Sequence, residues 1–328
     1  MDAQSKTPAA DDMMWGGSLH SGTIGTFMNY PRVSPDAQRL RAAGATVGVI
    51  GFPWDSTCIS RPGASMGPRA IREASEQFIP YNASTGVDLN KAFTIVDCGD
   101  VQTLPGNSPV TQARAEAAVS QILEAGAIAL ILGGDHSITI GPIRAFAKQY
   151  KRAGMIHFDT HYDTAEDVGG NDLSHCCPIA RAVDAGVNPT KIVTIGPSGW
   201  LNPASEYEYT RKKGITTFTL EDVWEMGTAP IIQRVHEVMS EGVDAIYLTI
   251  DIDALDAAYA PGTGVPTPGG LTSREMIQFV RGFRGLPIRA MDIAEVSPPW
   301  DMPSGTTARL GARLVVETLA SVSASIKR

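Results

Sequence analysis

The sequence predicts an α/β fold in which helices cover both faces of a mostly parallel sheet. Segments that read as strands alternate with segments that read as helices along nearly the whole chain, the pattern of repeated βαβ units. The strand segments are almost continuously apolar, as strands buried on both faces must be. Three short segments rich in Asp and His each follow such a strand, and in this fold class ligands bind at the carboxyl ends of the strands.

Residues 46–52 form the first apolar strand candidate. Pro68 opens a helix predicted over 68–78, where its missing N–H costs nothing. A strand at 93–97 precedes a helix at 110–125, read from its Ala, Glu, Ile and Leu content and stopped by Gly126. The next strand ends at Leu132 and leads to a helix over about 140–151. Strand 155–159, helix 178–185, strand 191–195 and strand 215–218 follow. Helix 229–240 precedes strand 245–251, helix 273–283 precedes strand 288–293, and a last helix covers 306–322. Residues 1–40 are polar, Gly/Ser/Pro-rich and weakly periodic, and read as an N-terminal arm. Residues 41–328 read as one domain, because no repeat or linker interrupts them.

The 328 residues are 43% hydrophobic and 19% charged, the balance of a globular enzyme. A formal charge of −8 leans against nucleic acid and acidic partners. Cys58, Cys98, Cys176 and Cys177 contain no C-x-x-C pair and read as free thiols in a reducing cytoplasm. No signal peptide or bilayer-length apolar run is visible, so the expectation is a cytoplasmic protein without membrane contact.

The three polar segments are Gly133-Gly134-Asp135-His136-Ser137, His157-Phe158-Asp159-Thr160-His161-Tyr162-Asp163 and Asp251-Ile252-Asp253. If the strands persist, Asp159, His161 and Asp163 point to one side, and so do Asp251 and Asp253. A single Asp after a strand is usually a helix cap, and a single His is usually structural. Together they would bury several titratable groups in one place, which is very unfavourable without a cation. Four of the six histidines (His136, His157, His161 and His175) lie in or just after these segments. Carboxylates with imidazoles and no cysteine suit Mn²⁺ and tolerate Zn²⁺, Co²⁺, Ni²⁺ or Fe²⁺. A carboxylate-bridged pair of such ions can ready water for attack near neutral pH. The residues therefore point to metal-assisted hydrolysis. Neither a phosphate-binding P-loop nor a dinucleotide fingerprint is present.

With these motifs the chain resembles the ureohydrolases: arginase, agmatinase, guanidinobutyrase and relatives. The resemblance covers nearly everything after residue 45. Besides the three segments it rests on Ser174-His175, Thr249 to Asp256, Ala260 to Gly264, Pro268 to Thr272 and Asp292 to Pro299. Arg61-Pro62-Gly63-Ala64 and Gly67 to Arg72 are similar to the agmatinase branch. The resemblance implies a three-layer α/β/α, arginase-like fold and two divalent ions, Mn²⁺ or Ni²⁺. It assigns His136, Asp159, Asp163 and Asp251 to one ion, and Asp159, His161, Asp251 and Asp253 to the other. A hydroxide between them would attack the guanidinium carbon, releasing urea or a urea derivative plus an amine. His175 would pass a proton to the departing nitrogen, and Glu295 would pair with the guanidinium. His157 reads as a support for the ligands. The resemblance also implies a homo-oligomer, a trimer or hexamer, or a hetero-oligomer with a paralogue.

Several positions depart from the family pattern. Asp159-Thr160-His161 stands for Asp-Ala-His, Cys176-Cys177-Pro178 for Gly-Thr-Pro, and Ile195-Gly196-Pro197-Ser198-Gly199 for Ile-Gly-Leu-Arg-Gly. Val265 to Gly270 lacks the usual glutamate, Ala257 replaces a proline, and Gly51 to Asp55 reads Gly-Phe-Pro-Trp-Asp. These changes spare the metal set and remove handles for a charged substrate tail. They suggest a compact guanidine, or a substituted biguanide such as metformin, in a pocket lined by Trp54, Cys176, Cys177 and Trp200. The alternatives are an agmatinase or guanidinobutyrase, a non-catalytic partner subunit, and deacetylase-like chemistry.

Overall fold

The structure, a computed structural model, describes residues 25–324. Among them are ten strands: β1 (Val47–Gly51), β2 (Tyr81–Asn82), β3 (Val87–Asp88), β4 (Ile95–Asp100), β5 (Ile128–Leu132), β6 (Ala153–Phe158), β7 (Ile192–Ile195), β8 (Thr216–Phe218), β9 (Ala245–Asp251) and β10 (Ile288–Ala294). β2 and β3 form a small antiparallel hairpin. The other eight make one sheet in the order β4-β1-β5-β10-β9-β6-β7-β8, and every neighbouring pair is parallel.

Side-chain alternation along the strands builds the layers. Val47, Val49, Leu130, Phe158, Leu248 and Ile250 face one core, with the helices Ser273–Gly282 and Thr306–Val322 against them. Ile50, Ile131, Met155 and Tyr247 face the other, under Ser108–Glu124 and Ile140–Gln149. Both faces of the sheet are thereby dry, which explains why its strands carry so few polar residues. The result is the three-layer α/β/α architecture. The chain passes from β5 to β6 across two empty positions that β9 and β10 fill later. That break in strand order leaves a crevice at the carboxyl ends of the four central strands.

The structure departs from the sequence reading in several places. Residues 25–40, read as part of an arm, pack on the body. Phe27 and Leu40 are fully buried, the Phe27 N–H donates to Asp97, and Asp36 caps a helix over Ala37–Ala42. The remainder of the expected arm, residues 1–24, lies outside the described residues. Helices Ala204–Lys213 and Leu220–Met226 were not foreseen, although the Thr219–Asp222 capping box of the second is legible as a motif. Finally, β6 stops at Phe158, so Asp159, His161 and Asp163 sit on a loop. No helix among the described residues is long and apolar enough to cross a membrane.

Arg72 ties this frame together at its edge. Its guanidinium reaches Asp97 at 2.8 and 3.0 Å, Asp100 at 2.7 Å and the Gly99 carbonyl at 2.8 Å. All of this is buried or nearly so. Removing the cation strands two carboxylates, so Arg72→Met is expected to cost about 3–5 kcal/mol. The check is the urea unfolding midpoint, and an unchanged midpoint contradicts it.

Candidate metal centre

Each central strand delivers its part of the site at its last residue or just beyond. After β5, Gly133-Gly134 turns the chain so that Asp135 and His136 point inward. A Cβ on Gly134 would collide with the Trp54 backbone carbonyl, which itself accepts the Asp135 N–H at 2.7 Å. β6 leads to Asp159, His161 and Asp163, β9 ends at Asp251 with Asp253 on the following turn, and β10 leads to Glu295. Asp163 and Glu295 hold positive φ angles of 49° and 59°. Non-glycine residues rarely do this, and such strain persists where surrounding contacts over-determine it.

The six residues expected to hold metal are brought together. His136 Nδ1 lies 3.0 Å from Asp159 Oδ2, 2.9 Å from Asp163 Oδ2 and 3.2 Å from Asp251 Oδ2. His161 Nδ1 lies 3.1 Å from Asp159 Oδ1 and 3.3 Å from Asp253 Oδ2. Asp159 thus turns one oxygen to each histidine. His136 Nδ1 is buried and, despite three oxygens in reach, is aligned for a hydrogen bond with none. Burial alone would lower that ring's proton affinity, while the three carboxylates raise it well above the usual imidazole range. A proton there satisfies one oxygen at best. A cation at the common focus satisfies the nitrogen and all three carboxylates, and the donor set fits divalent ions.

The outer contacts set the histidine tautomers. His136 Nε2 donates to Thr249 Oγ1 at 2.8 Å. Thr249 donates onward to Asp292, which also accepts from Thr139 and Tyr247. That chain leaves the Nδ1 lone pair facing the carboxylates. His157 is fully buried, and burial lowers its pKa. Its Nε2 contacts Asp159 Oδ2 at 3.0 Å and its Nδ1 faces Thr194 at 3.3 Å, the supporting position expected for it.

Electrostatics within the group are severe. Burial and then the Asp159 charge push Asp163 and Asp253 up to about 6. Burial followed by Asp253 and Asp159 drives Asp251 well above the carboxylate range. Burial also raises Asp159, but hydrogen bonds from His136, His157 and His161 outweigh it and hold this carboxyl low.

A cavity of about 320 Å³ opens onto the group. Its wall includes Cys58, Ile59, Ser60, Leu201, Glu206 and Val265, besides His175, Cys176 and Glu295. Glu295 Oε1 accepts from the His136 N–H at 3.0 Å and contacts His175 Nδ1 at 2.9 Å. The Ile59 N–H points at His175 Nε2 at 3.2 Å, so the ring carries its proton on Nδ1. Burial lowers its pKa, while Cys176 and Glu295 raise it further. A larger cavity of about 700 Å³ lies by the β2–β3 hairpin, lined by Lys91, Arg281 and Glu317. Among its described lining residues are Asp88 and Glu317 but no histidine, so size does not identify the site.

Of the four pocket residues expected from sequence, Cys176 lines the cavity and three do not. Trp54 is buried, and its carbonyl accepts the Asp135 N–H instead. Cys177 is buried, with its thiol 3.9 Å from the Asn171 carbonyl. Trp200 stands fully exposed, and Leu201 takes the wall position. Ile59, Leu201 and Val265 escaped sequence reading because no period marks the connecting segments that hold them, and Glu206 because its helix Ala204–Lys213 was not foreseen.

Fold and site define a metal-binding α/β/α hydrolase. Residues 45–320 match the sequence model of the arginase family, and the chain belongs to that family, whose members cleave C–N bonds of guanidino compounds. It is 40% identical over 280 residues to the mitochondrial guanidino acid hydrolase of Homo sapiens, covering 85% of this chain and 79% of that one. It is 34% identical over 308 residues to a guanidinobutyrase of Pseudomonas aeruginosa, covering 94% and 95%. The solved proclavaminate amidino hydrolase of Streptomyces clavuligerus superposes with a TM-score of 0.85 at 32% identity, over 94% of this chain and 99% of that one.

The raised carboxyls make metal binding and stability depend on pH. Between the ordinary carboxylate value and about 6 the metal-free chain keeps protons on Asp163 and Asp253 that the unfolded chain has lost. Its stability from these groups therefore falls as pH rises through about 6, while cations compete better with fewer protons. The gap in Tm between metal-loaded and metal-free protein is expected to widen from about pH 5 to about pH 7.5. Paired thermal melts across that range check it, and a constant or narrowing gap contradicts it.

Proposed function

We propose that this chain hydrolyses a compact guanidino compound without a carboxylate, with guanidine or a substituted biguanide such as metformin as the favoured class. The observation that carries this is the cavity wall. Among the described residues no Lys or Arg lines it, and nearby Arg61 is spent on the carbonyls of Gly264 and Thr263 and stacked over Trp300. A substrate carboxylate would lose its hydration there without gaining a partner. Ile59, Leu201, Pro203 and Val265 instead offer apolar contact suited to small alkyl substituents on nitrogen.

His136, Asp159, Asp163 and Asp251 would hold one ion. Asp159, His161, Asp251 and Asp253 would hold the second, with Mn²⁺ and Ni²⁺ as the candidate metals. When bound, the ions supply Lewis-acid chemistry that activates water near neutral pH. Glu295, fixed by the His136 N–H, turns its carboxylate toward the cavity, where a planar cation pairs well with it. An amine leaves poorly unless protonated, and His175 carries a proton on the nitrogen facing Glu295. Transfer from His175 to the departing nitrogen, with Glu295 keeping the ring oriented, completes C–N cleavage.

A second reading, agmatine hydrolysis, is favoured by Glu206. This residue adds a carboxylate to the cavity wall that would welcome a cationic tail.

Steady-state kinetics of metal-loaded protein with guanidine, dimethylbiguanide, agmatine and guanidinobutyrate separate these readings. Guanidinobutyrate is expected to trail the best substrate by at least ~100-fold in kcat/KM. Preference for agmatine transfers the assignment to the second reading, and preference for guanidinobutyrate refutes both.

A further inference from the structure

Cys58, His175 and Glu295 form a third cluster of potential ligands that shares no residue with the paired group. A thiol sulfur, a ring nitrogen and a carboxylate oxygen lie within 4.8 Å of one another, and all three residues line the cavity. We propose that this cluster is an inhibitory site for a borderline-soft divalent cation, Zn²⁺ above all, separate from the catalytic pair. The inference rests on the proposed roles of His175 and Glu295 for its consequence, but not for the binding itself.

Donor chemistry distinguishes the two sites. The paired group offers carboxylates and imidazoles without sulfur, a set that accepts Mn²⁺. The third cluster adds a thiolate, which Zn²⁺ takes readily and Mn²⁺ does not. Three protein ligands and an open side toward the cavity match a four-coordinate ion with one exchangeable position. One thiolate and one carboxylate also neutralise a divalent charge, which a half-buried site requires.

Burial and then the Glu295 charge push the Cys58 thiol up to about 11. At neutral pH this sulfur is therefore protonated and a poor nucleophile. Zinc ligation replaces the S–H bond with an S–Zn bond and releases the proton to solvent, with no change of oxidation state. His175 has both nitrogens engaged, one with Glu295 and one with the Ile59 N–H. One contact must break to admit the ion, so this site fills after the paired one. Once filled, it occupies the positions from which His175 and Glu295 would meet substrate, and the inhibition is competitive.

The test titrates Zn²⁺ into protein preloaded with two Mn²⁺ per chain and reads total metal content and the zinc-edge X-ray absorption spectrum. Expected are a third equivalent and one sulfur neighbour at about 2.3 Å. Cys58→Ser should lose both, while Cys176→Ser should keep both. Relative to each variant's own uninhibited rate, Cys58→Ser should also raise the half-inhibitory zinc concentration at least ~10-fold. Simple replacement of manganese, with two ions in total and no sulfur signal, overturns the proposal. So does a sulfur signal that survives in Cys58→Ser. Metal uptake needs no turnover, so these readouts stand even if the chain hydrolyses none of the guanidines above.

Discussion

Mutual repulsion among Asp159, Asp163, Asp251 and Asp253 is the constraint around which this molecule is organised. These carboxylates are buried beside His136 and the partly buried His161, and full ionisation there needs positive charge that no Lys or Arg among the described residues of the cavity wall provides. Further contacts hold several of these groups against that repulsion. Thr249 and Asp292 hold His136, His157 holds Asp159, and the backbone N–H groups of Thr160 and Asp253 reach Asp253 and Asp251. Cations then relieve a strain the fold has already assembled.

The parallel sheet explains how residues so distant in sequence meet. β5, β10, β9 and β6 are neighbours in that order, so the tips carrying His136, Glu295, Asp251 and Asp159 stand side by side. The two late strands enter a gap left between earlier ones, which places late residues between early ones. Close backbone packing refines the placement, as where Gly134 lies against the Trp54 carbonyl.

Much of this was legible in the sequence because it follows from strong local signals. Apolar runs located every strand of the large sheet, and the Asp/His segments marked three of the four tips that matter. The argument from alternation grouped Asp159, His161 and Asp163, which do converge, but its reason was incomplete. The strand ends at Phe158, and a loop with Asp163 in a left-handed conformation makes the three converge. Trp54, Cys177 and Trp200 misled because adjacency to a motif says nothing about which way a loop residue faces. Phe27 looked like part of an arm because its burial depends on Asp97 and Ser75 with its neighbour Met28, contacts far away in sequence. The cavity wall reflects the same limit: separate segments build it, and none of its described residues is Lys or Arg. Relatives named for guanidino acids share the family, so under the proposed function any discrimination against such acids would lie in the segments that build this wall.

The most direct test of the account is anomalous diffraction from crystals grown with manganese or nickel. Two ions roughly 3.5–4 Å apart, one against His136 and Asp163 and the other against His161 and Asp253, with Asp159 touching both, are the result the account requires. A single ion, or ions bound elsewhere while these side chains remain hydrogen-bonded to one another, would contradict it.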